Sequence, residues 1–326
     1  MQAVLRWLAP ILNPMACLPP LEADPATENA EGILKRLEAL LQHQLRYALT
    51  GERRSIIKGQ GLDFADLREY TPGDDIRKID WNVFARTLTP HIREYHEEKQ
   101  LTLWLVVDMT PSMRFGKHKS KLQHAIDLAG LLGLLAHRAN HKLGCFLILN
   151  EDVQIIPPQT GYAHLQRIMQ ILLDASQSQQ KQAALPLQDP LPLAFQKLGH
   201  LVQKNATLLI LSDFLTVSPQ WQHPLGRLSR NNKLLYLYLQ DPVEAQLPQG
   251  LGLLSVMDPE SGKTCQIDTN DRRFQSEYRA MVHQTQQHRM QALKETGTVV
   301  PASTQTAPLD ILVALIGHTQ SGMRAS

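Results

Sequence analysis

The sequence predicts an α/β fold, with a mostly parallel sheet that is covered by helices on both faces. Strand-length runs that are apolar on both faces are typical of parallel sheets, and the chain contains "LTLWLVVD", "KLGCFLILN", "ATLLILSD" and "KLLYLYLQD". Segments with helical periodicity separate these runs, which indicates strands alternating with helices. The runs "LTLWLVVD" and "ATLLILSD" place Asp108 and Asp213 at their carboxyl ends, so carboxylates are expected at one edge of the sheet.

The elements before the first of these strands differ from the rest. Residues 1–30 are interrupted by prolines and read as an irregular lead-in. The next segment, "EGILKRLEALLQHQLRYAL", has helical spacing, with one apolar face formed by Ile33, Leu34, Leu37, Leu40, Leu41, Leu45 and Ala48. From Gly51 to about Gln100 the chain is rich in Gly, Asp and Arg and predicts short strands and loops. We therefore predict a helix plus a small β-rich module over 31–100.

The main α/β domain is predicted over 101–242. Its first helix, "KSKLQHAIDLAGLLGLLAHRA", turns Leu122, Ile126, Ala129, Leu132 and Leu135 inward. "VQIIPP" is a short strand, and helices are predicted in "GYAHLQRIMQILLDA", "PLPLAFQKLGHLVQ" and "PQWQHPLGRL". Residues 243–326 are expected to pack on this core as a hairpin, "GLLSVMD-PESGK-TCQID", a helix over roughly 272–294 and an apolar final helix.

Composition and motif content give no support for several classes of function. The 326 residues are 43% hydrophobic and 20% charged with a formal net charge of +2, so charge gives no support for a nucleic-acid partner. Cys17, Cys145 and Cys265 have no CxxC spacing, which fits a reducing, cytoplasmic location. No apolar stretch approaches the ~20 residues of a membrane span. Phosphate-binding glycine loops and nucleophile motifs are also absent from the sequence.

The strand ends carry the candidate chemistry. Asp108, Thr110 and Ser112 follow the first strand at alternate positions, so their side chains can project to one side. Asp213 ends a later strand, and ligands of open α/β sheets bind beyond the carboxyl ends of strands. Carboxylate and hydroxyl oxygens suit Mg²⁺, Mn²⁺ or Ca²⁺. The alternative is that these side chains only cap the following turns and helices.

Two resemblances extend this interpretation. The order strand, Asp-x-Thr-x-Ser, helix and later "LILSD" is similar to a von Willebrand factor A domain with its metal-ion-dependent adhesion site. The segment Lys58 to Gly116 resembles the bacterial domain-of-unknown-function family 58. Its signature is carried here by Gly61, Asp63, Phe64, Arg68, Tyr70, Pro72, Gly73, Asp74, Asp75, Arg77, Ile79, Asp80, Trp81, Ala85, Arg86, Glu94 and Met113.

These resemblances imply a von Willebrand A-like, that is Rossmann-like, domain with a small β-rich module. They also imply association with MoxR-type AAA ATPases and a chaperone or assembly role. The sequence departs from the adhesion-site pattern in one loop, "QKQAALPLQDPLPLAF", which lacks the threonine that usually completes the ligand set. Asp189, Gln188 or a water molecule is the substitute expected at this position.

The signature segment "REYTPGDDIRKIDW" allows two interpretations. Its dense charges form either a salt-linked turn that stabilises the module or part of a partner-binding face. The residues concerned are Arg68, Tyr70, Asp74, Asp75, Arg77, Asp80, Trp81 and Arg86.

For the whole chain we expect a non-enzymatic adaptor that binds a protein partner through a divalent cation. A metal-free scaffold of the same fold is the first alternative. A metal-dependent hydrolase is the second, and it is less favoured because no general base or second metal site accompanies Asp108 and Asp213.

Overall fold

A computed structural model describes most of the chain. The described residues are 29–50, 64–71, 74–76, 79–95, 100–116, 119–150, 152–181, 190–215, 219–245, 252–257, 264–268 and 270–321. Cα packing groups them into two compact units, one within 1–46 and 101–326 and the other within 47–100.

The helices and strands are numbered here in chain order. The helices are α1 (Ala30–Thr50), α2 (Trp81–Thr87), α3 (Lys121–Arg138), α4 (Tyr162–Lys181), α5 (Pro190–Leu201), α6 (Gln222–Ser229), α7 (Pro242–Ala245), α8 (Arg272–Lys294) and α9 (Pro308–Ser321). The strands are β1 (Phe64–Glu69), β2 (His91–Tyr95), β3 (Thr102–Asp108), β4 (Lys142–Ile148), β5 (Val153–Gln159), β6 (Thr207–Ser212), β7 (Lys233–Gln240), β8 (Leu253–Met257), β9 (Thr264–Asp268) and β10 (Thr298–Ser303). Single 3₁₀ turns lie at Pro111–Arg114 and Pro219–Trp221.

The large sheet has six strands in the order β10-β7-β6-β3-β4-β5. All neighbours run parallel except β5, which is antiparallel to β4. From β3 the chain builds outward through β4 and β5 and then returns to place β6 on the other side of β3. The strand order therefore reverses between β3 and β6, and such a switch point is where open α/β sheets bind ligands.

Alternate residues of each central strand face opposite sides of the sheet. Leu105 and Val107 of β3 pack with α1, α3, α4 and α9 in one buried cluster. Trp104 and Val106 pack with α5, α6 and α8 in the other. The predicted α/β class, with a mostly parallel sheet and helices on both faces, is confirmed.

The first helix, as far as residue 46, is part of the main unit. Its residues Ile33, Leu34, Leu37 and Leu41 are buried in the same cluster as α3. Gly130 of α3 allows this close approach, because a Cβ there would lie 2.6 Å from Leu37 Cδ1. The segment predicted over 31–100 is therefore divided between the two units, because α1 as far as residue 46 belongs to the main unit.

The small unit contains the predicted β-rich module. Its strands β1 and β2 form a two-stranded antiparallel sheet, and α2 lies between them in the chain. The predicted hairpin of β8 and β9 is also antiparallel.

The strand β10 was not predicted. It adds "TVVPAS" in parallel to β7 at the edge of the large sheet. Its apolar run is short and contains a proline, so its periodicity resembles a connecting loop.

Within the described ranges, no helix is both long and apolar enough to cross a bilayer.

Candidate functional site at the carboxyl edge of the sheet

Asp108 lies at the carboxyl end of β3, and Asp213 directly follows β6, its parallel neighbour. The chain then turns sharply at both places. After β3 it forms the 3₁₀ turn Pro111–Arg114, which begins with Pro at its first position and buries Ser112. This turn returns the Ser112 hydroxyl toward β6, so residues far apart in sequence meet at the switch point.

Buried hydrogen bonds hold the Asp108 carboxylate at both oxygens. Its Oδ1 accepts from the Thr110 amide at 2.9 Å, and its Oδ2 accepts from the Ser212 hydroxyl at 2.5 Å. The Ser212 Oγ in turn accepts from the Phe214 amide at 2.9 Å. Ser212 therefore links the ends of β3 and β6 through one hydroxyl.

A strained residue fixes the turn after β6. Phe214 has φ 49°, in the left-handed region that a bulky residue rarely adopts. Its ring is fully buried among other aromatic rings, with centroid distances of 5.2 Å to Trp221 and 5.8 Å to Tyr236. Burial of this ring offsets the backbone strain and holds Asp213 in place.

The Asp213 carboxylate also has both oxygens engaged. Its Oδ1 accepts from the Leu215 amide at 2.9 Å and from the Ser112 hydroxyl at 3.3 Å. Its Oδ2 accepts from the Lys121 ammonium at 2.6 Å. The Thr110 and Ser112 hydroxyl oxygens are 3.2 Å apart. The four predicted ligands thus form one connected and buried cluster.

Lys121 is the unpredicted member of this cluster. It is the first residue of α3 and is fully buried, and its ammonium pairs with both Asp213 and Glu244. Glu244 is on the short helix α7 after β7, and its Oε2 accepts from the Asp241 amide at 3.3 Å. The Tyr278 hydroxyl donates to the Glu244 carbonyl at 3.0 Å. Elements following β3, β6 and β7 therefore converge on one ammonium.

The electrostatics follow from burial and charge. Burial raises the pKa of Asp108 to about 7, and the nearby charge of Asp213 adds to the rise against the opposing hydrogen bonds from Ser212 and Thr110. Burial alone would lower the pKa of Lys121, but the charges of Asp213 and Glu244 outweigh it and raise this pKa above its ordinary value. Lys121 is therefore charged in the folded protein.

The fit of a divalent cation to these residues can be judged from the same contacts. Each carboxylate oxygen of Asp108 and Asp213 already accepts from a protein donor, and one of these donors is a cation. Across the part of the chain that the structure describes, no three carboxylate, histidine or cysteine side chains are arranged to hold a metal ion. A carboxylate oxygen can take a second partner, so these hydrogen bonds alone do not exclude a cation. What disfavours a divalent cation in this arrangement is the Lys121 ammonium, which already lies 2.6 Å from Asp213 Oδ2. Asp189 and Gln188 lie outside the described residues, so the proposed substitute ligand stays a prediction.

The described signature residues from Phe64 to Glu94 lie in the small unit, whereas Met113 is buried in the main unit. Asp74 accepts from the Thr71 amide at 3.0 Å and hydroxyl at 2.8 Å, while buried Asp80 caps α2 by accepting from the Val83 amide at 3.3 Å. The Tyr70 amide donates to the Pro90 carbonyl at 2.8 Å.

Other signature residues are more exposed or only partly described. Asp75 and Arg86 are exposed, and Trp81 is 61% exposed with its ring edge-on to Phe84. Arg68 pairs with Ile92 through the backbone of β1 and β2. Arg77 lies outside the described residues, so the partner-face interpretation of this segment stays a prediction.

Sequence reasoning missed Lys121, Ser212 and Glu244. One signal for Lys121 was present, because a cation in the first turn of a helix opposes the helix dipole and requires a compensating charge. Ser212 immediately precedes the predicted Asp213. Glu244 carried no local signal, since its partner Lys121 is 123 positions away.

Comparisons with known proteins confirm the resemblance to domain-of-unknown-function family 58. The family described as "Protein of unknown function DUF58" matches residues 66–289. Uncharacterized proteins of Mycobacterium bovis and Mycobacterium tuberculosis are each 30% identical over 230 residues, which cover 70% of this chain and 70% of theirs.

Two solved structures are more distantly similar. BatB from Bacteroides thetaiotaomicron, a conserved hypothetical protein, shares 14% identity over 69% of this chain and 100% of its own, with a TM-score of 0.43. An aerotolerance-related membrane protein from Bacteroides fragilis shares 14% identity over 67% of this chain and 98% of its own, with a TM-score of 0.41.

Proposed function

The chain belongs to the DUF58 family of proteins of unknown function, and we propose that it is a non-enzymatic adaptor that binds a protein partner at the carboxyl edge of its large sheet. The proposed partner is a MoxR-type AAA ATPase in chaperone or assembly work, and the proposed fold assignment is von Willebrand A-like. A cytoplasmic location is part of the proposal.

One observation carries the proposal. A charged and buried cluster is built at the topological switch point from residues 92 and 123 positions apart, Lys121 with Asp213 and Glu244. Buried charges are costly unless they are paired, so a fold that only needed stability could use apolar residues there. The donors and acceptors of the cluster hold one another in place, which favours a rigid recognition edge over a reactive centre.

Exposed residues beside this edge supply a direct test. Phe115 follows the 3₁₀ turn after β3 and is 44% exposed. We expect Phe115→Glu to weaken binding of the full chain to a purified MoxR-type ATPase from the same organism by about tenfold or more, because a carboxylate would be desolvated in the interface. Biolayer interferometry measures the change in Kd.

Leu201→Glu is the matched control. Leu201 ends α5, ahead of the amino end of β6, and is 46% exposed. It should leave the Kd unchanged if the partner binds the carboxyl edge. Equal weakening by both variants would contradict that location. No binding by the unaltered chain would favour the scaffold alternative, in which the same fold serves without this partner.

A further inference from the structure

We propose that Lys121 is the resident cation of the carboxyl-edge site, a tethered ammonium in place of the divalent ion that the strand-end motif predicts. The inference rests on the proposed function for the use of the site, whereas its test requires no partner. It follows from the position of Lys121, from its two carboxylate contacts and from the charge that a metal ion would meet.

The position of Lys121 opposes local preference. Ser120 caps α3, and its hydroxyl accepts from the Gln123 amide while the Gln123 side chain accepts from the Ser120 amide. This reciprocal cap fixes the first turn and with it the start of the Lys121 side chain. Cations are disfavoured at this end of a helix, so Lys121 is stabilised by contacts outside its own helix.

Those contacts are two carboxylates from distant elements. Asp213 Oδ2 lies 2.6 Å from the Lys121 Nζ, and Glu244 Oε1 contacts the same nitrogen. The Lys121 and Asp213 side chains are 1% and 4% exposed, whereas Glu244 is 26% exposed and lies nearer to solvent. The ammonium is thus enclosed between a buried and a half-buried carboxylate.

A divalent ion would compete with this arrangement. Mg²⁺ binds carboxylate oxygens at about 2.1 Å, so an ion on Asp213 Oδ2 would lie within about 5 Å of an ammonium bound to the same oxygen. Two cations at that distance in a buried site repel each other strongly. The lysine therefore already provides the positive charge that a metal would bring, without any dependence on metal concentration.

The test is a Mn²⁺ titration of the full chain, followed by the melting temperature and by the electron paramagnetic resonance of free Mn²⁺. We expect the unaltered chain to show no shift in Tm up to about 5 mM Mn²⁺. Lys121→Gln leaves Asp213 and Glu244 without their cation. It should gain a Tm rise of about 3 °C at ten times the Kd, and this gain should disappear when Asp213→Asn is added.

Lys197→Gln is the matched control, because Lys197 pairs with Asp152 at 3.3 Å in an exposed position, and it should gain no response. Mn²⁺ binding by the unaltered chain that is lost in Asp213→Asn would overturn the inference. If Lys121→Gln folds, the absence of an Mn²⁺ response would overturn it as well. If Lys121→Gln does not fold in metal-free buffer, it is refolded in the presence of Mn²⁺. Recovery of the folded state by Mn²⁺ supports the inference, and failure to recover it overturns the inference. Failure of the adaptor proposal appears only in the partner-binding assay.

Discussion

Aspartates at the carboxyl edge of the large sheet accept hydrogen bonds from local amides and also from side chains far away in the sequence, whereas the hydrogen bonds of Asp74 and Asp80 in the small unit described above are local. At the edge, Asp213 accepts from the Leu215 amide two positions away and also from the Lys121 ammonium, 92 positions away. In the small unit, Asp74 and Asp80 accept from Thr71 and Val83, each three positions away. The first arrangement joins elements of tertiary structure, and the second closes a local turn.

This difference predicts unequal contributions to stability. A cap satisfies amides that water would otherwise reach, and its loss costs about 1 kcal/mol. Removing one member of a buried ion pair leaves the other charge without compensation and costs about 3–5 kcal/mol. Side chains at the edge should therefore affect global unfolding, whereas the caps should affect their own turns.

The largest effect is expected for Lys121→Met. The substitution leaves the Asp213 carboxylate buried without its ammonium, so the free energy of unfolding should fall by about 3–5 kcal/mol. Urea denaturation followed by far-UV circular dichroism measures it. Adding Asp213→Asn should recover part of the loss, because the uncompensated charge is then removed.

Lys197→Met is the matched control for this experiment. Lys197 and Asp152 are also a Lys–Asp pair, but their side chains are 41% and 76% exposed. The change should stay within about 0.5 kcal/mol. Similar losses of unfolding free energy in the two lysine variants would mean that burial does not make the Lys121–Asp213 pair more important for stability than the exposed pair.

The same contrast explains which features could be predicted from sequence. Asp108, Thr110 and Ser112 lie close together in the chain, and Asp213 ends an evident strand, so strand-end logic brings them to one edge. The pairing of Lys121 with Glu244 depends on the order of β6, β3 and β7 in the sheet, which periodicity does not specify. The strand β10 was missed because its hydrogen bonds come from β7 rather than from any local pattern.

His124 is a second buried base on α3, and it differs from Lys121 in its partners. It lies one turn after Lys121 on α3 and is also buried, but neither ring nitrogen has a hydrogen-bond partner within the described residues. Burial lowers the pKa of His124 to about 4, and the charge of Lys119 adds to this against the opposing charge of Asp127. The stability contribution of His124, a buried base without a hydrogen-bond partner among the described residues, should therefore depend on pH differently from that of Lys121, which pairs with two carboxylates.

The pH dependence of stability tests this difference. Unfolded His124 takes up a proton near its ordinary pKa of 6.5, whereas the folded protein resists protonation. Its contribution is therefore fully present above pH 6.5 and is lost as the pH falls toward 4, by at most about 3 kcal/mol. We expect the free energy of unfolding of the unaltered chain to fall more steeply between pH 7 and 5 than that of His124→Leu.

The two profiles should become nearly parallel as the pH rises from 7 to 8, because the imidazole of the unfolded chain then loses its remaining protons, and the upper end of this range serves as the internal control. Parallel profiles down to pH 5 would contradict a depressed pKa for His124. Lys121 supplies the contrast, because its raised pKa keeps it charged throughout this range.

The smallest effect is expected for Asp80→Ala in the small unit. The substitution removes the acceptor for the Val83 amide at the start of α2. We expect a loss of about 1 kcal/mol in the stability of this turn. Hydrogen exchange of the α2 amides should accelerate by about fivefold, while the amides of β3 and β6 should exchange as before.

Asp80→Asn provides the control, because asparagine retains a side-chain oxygen that can accept from Val83 and is an equally good cap. Most of the protection of α2 should return in this variant. If the α2 amides exchange equally fast in the Asn and Ala variants, the charge of Asp80 contributes more to stability than its hydrogen bond to Val83. The small unit would then depend on a charge interaction, as the carboxyl edge does. If β3 also loses protection in Asp80→Ala, the cap stabilises more than its own turn, and the division between local caps and long-range pairs fails.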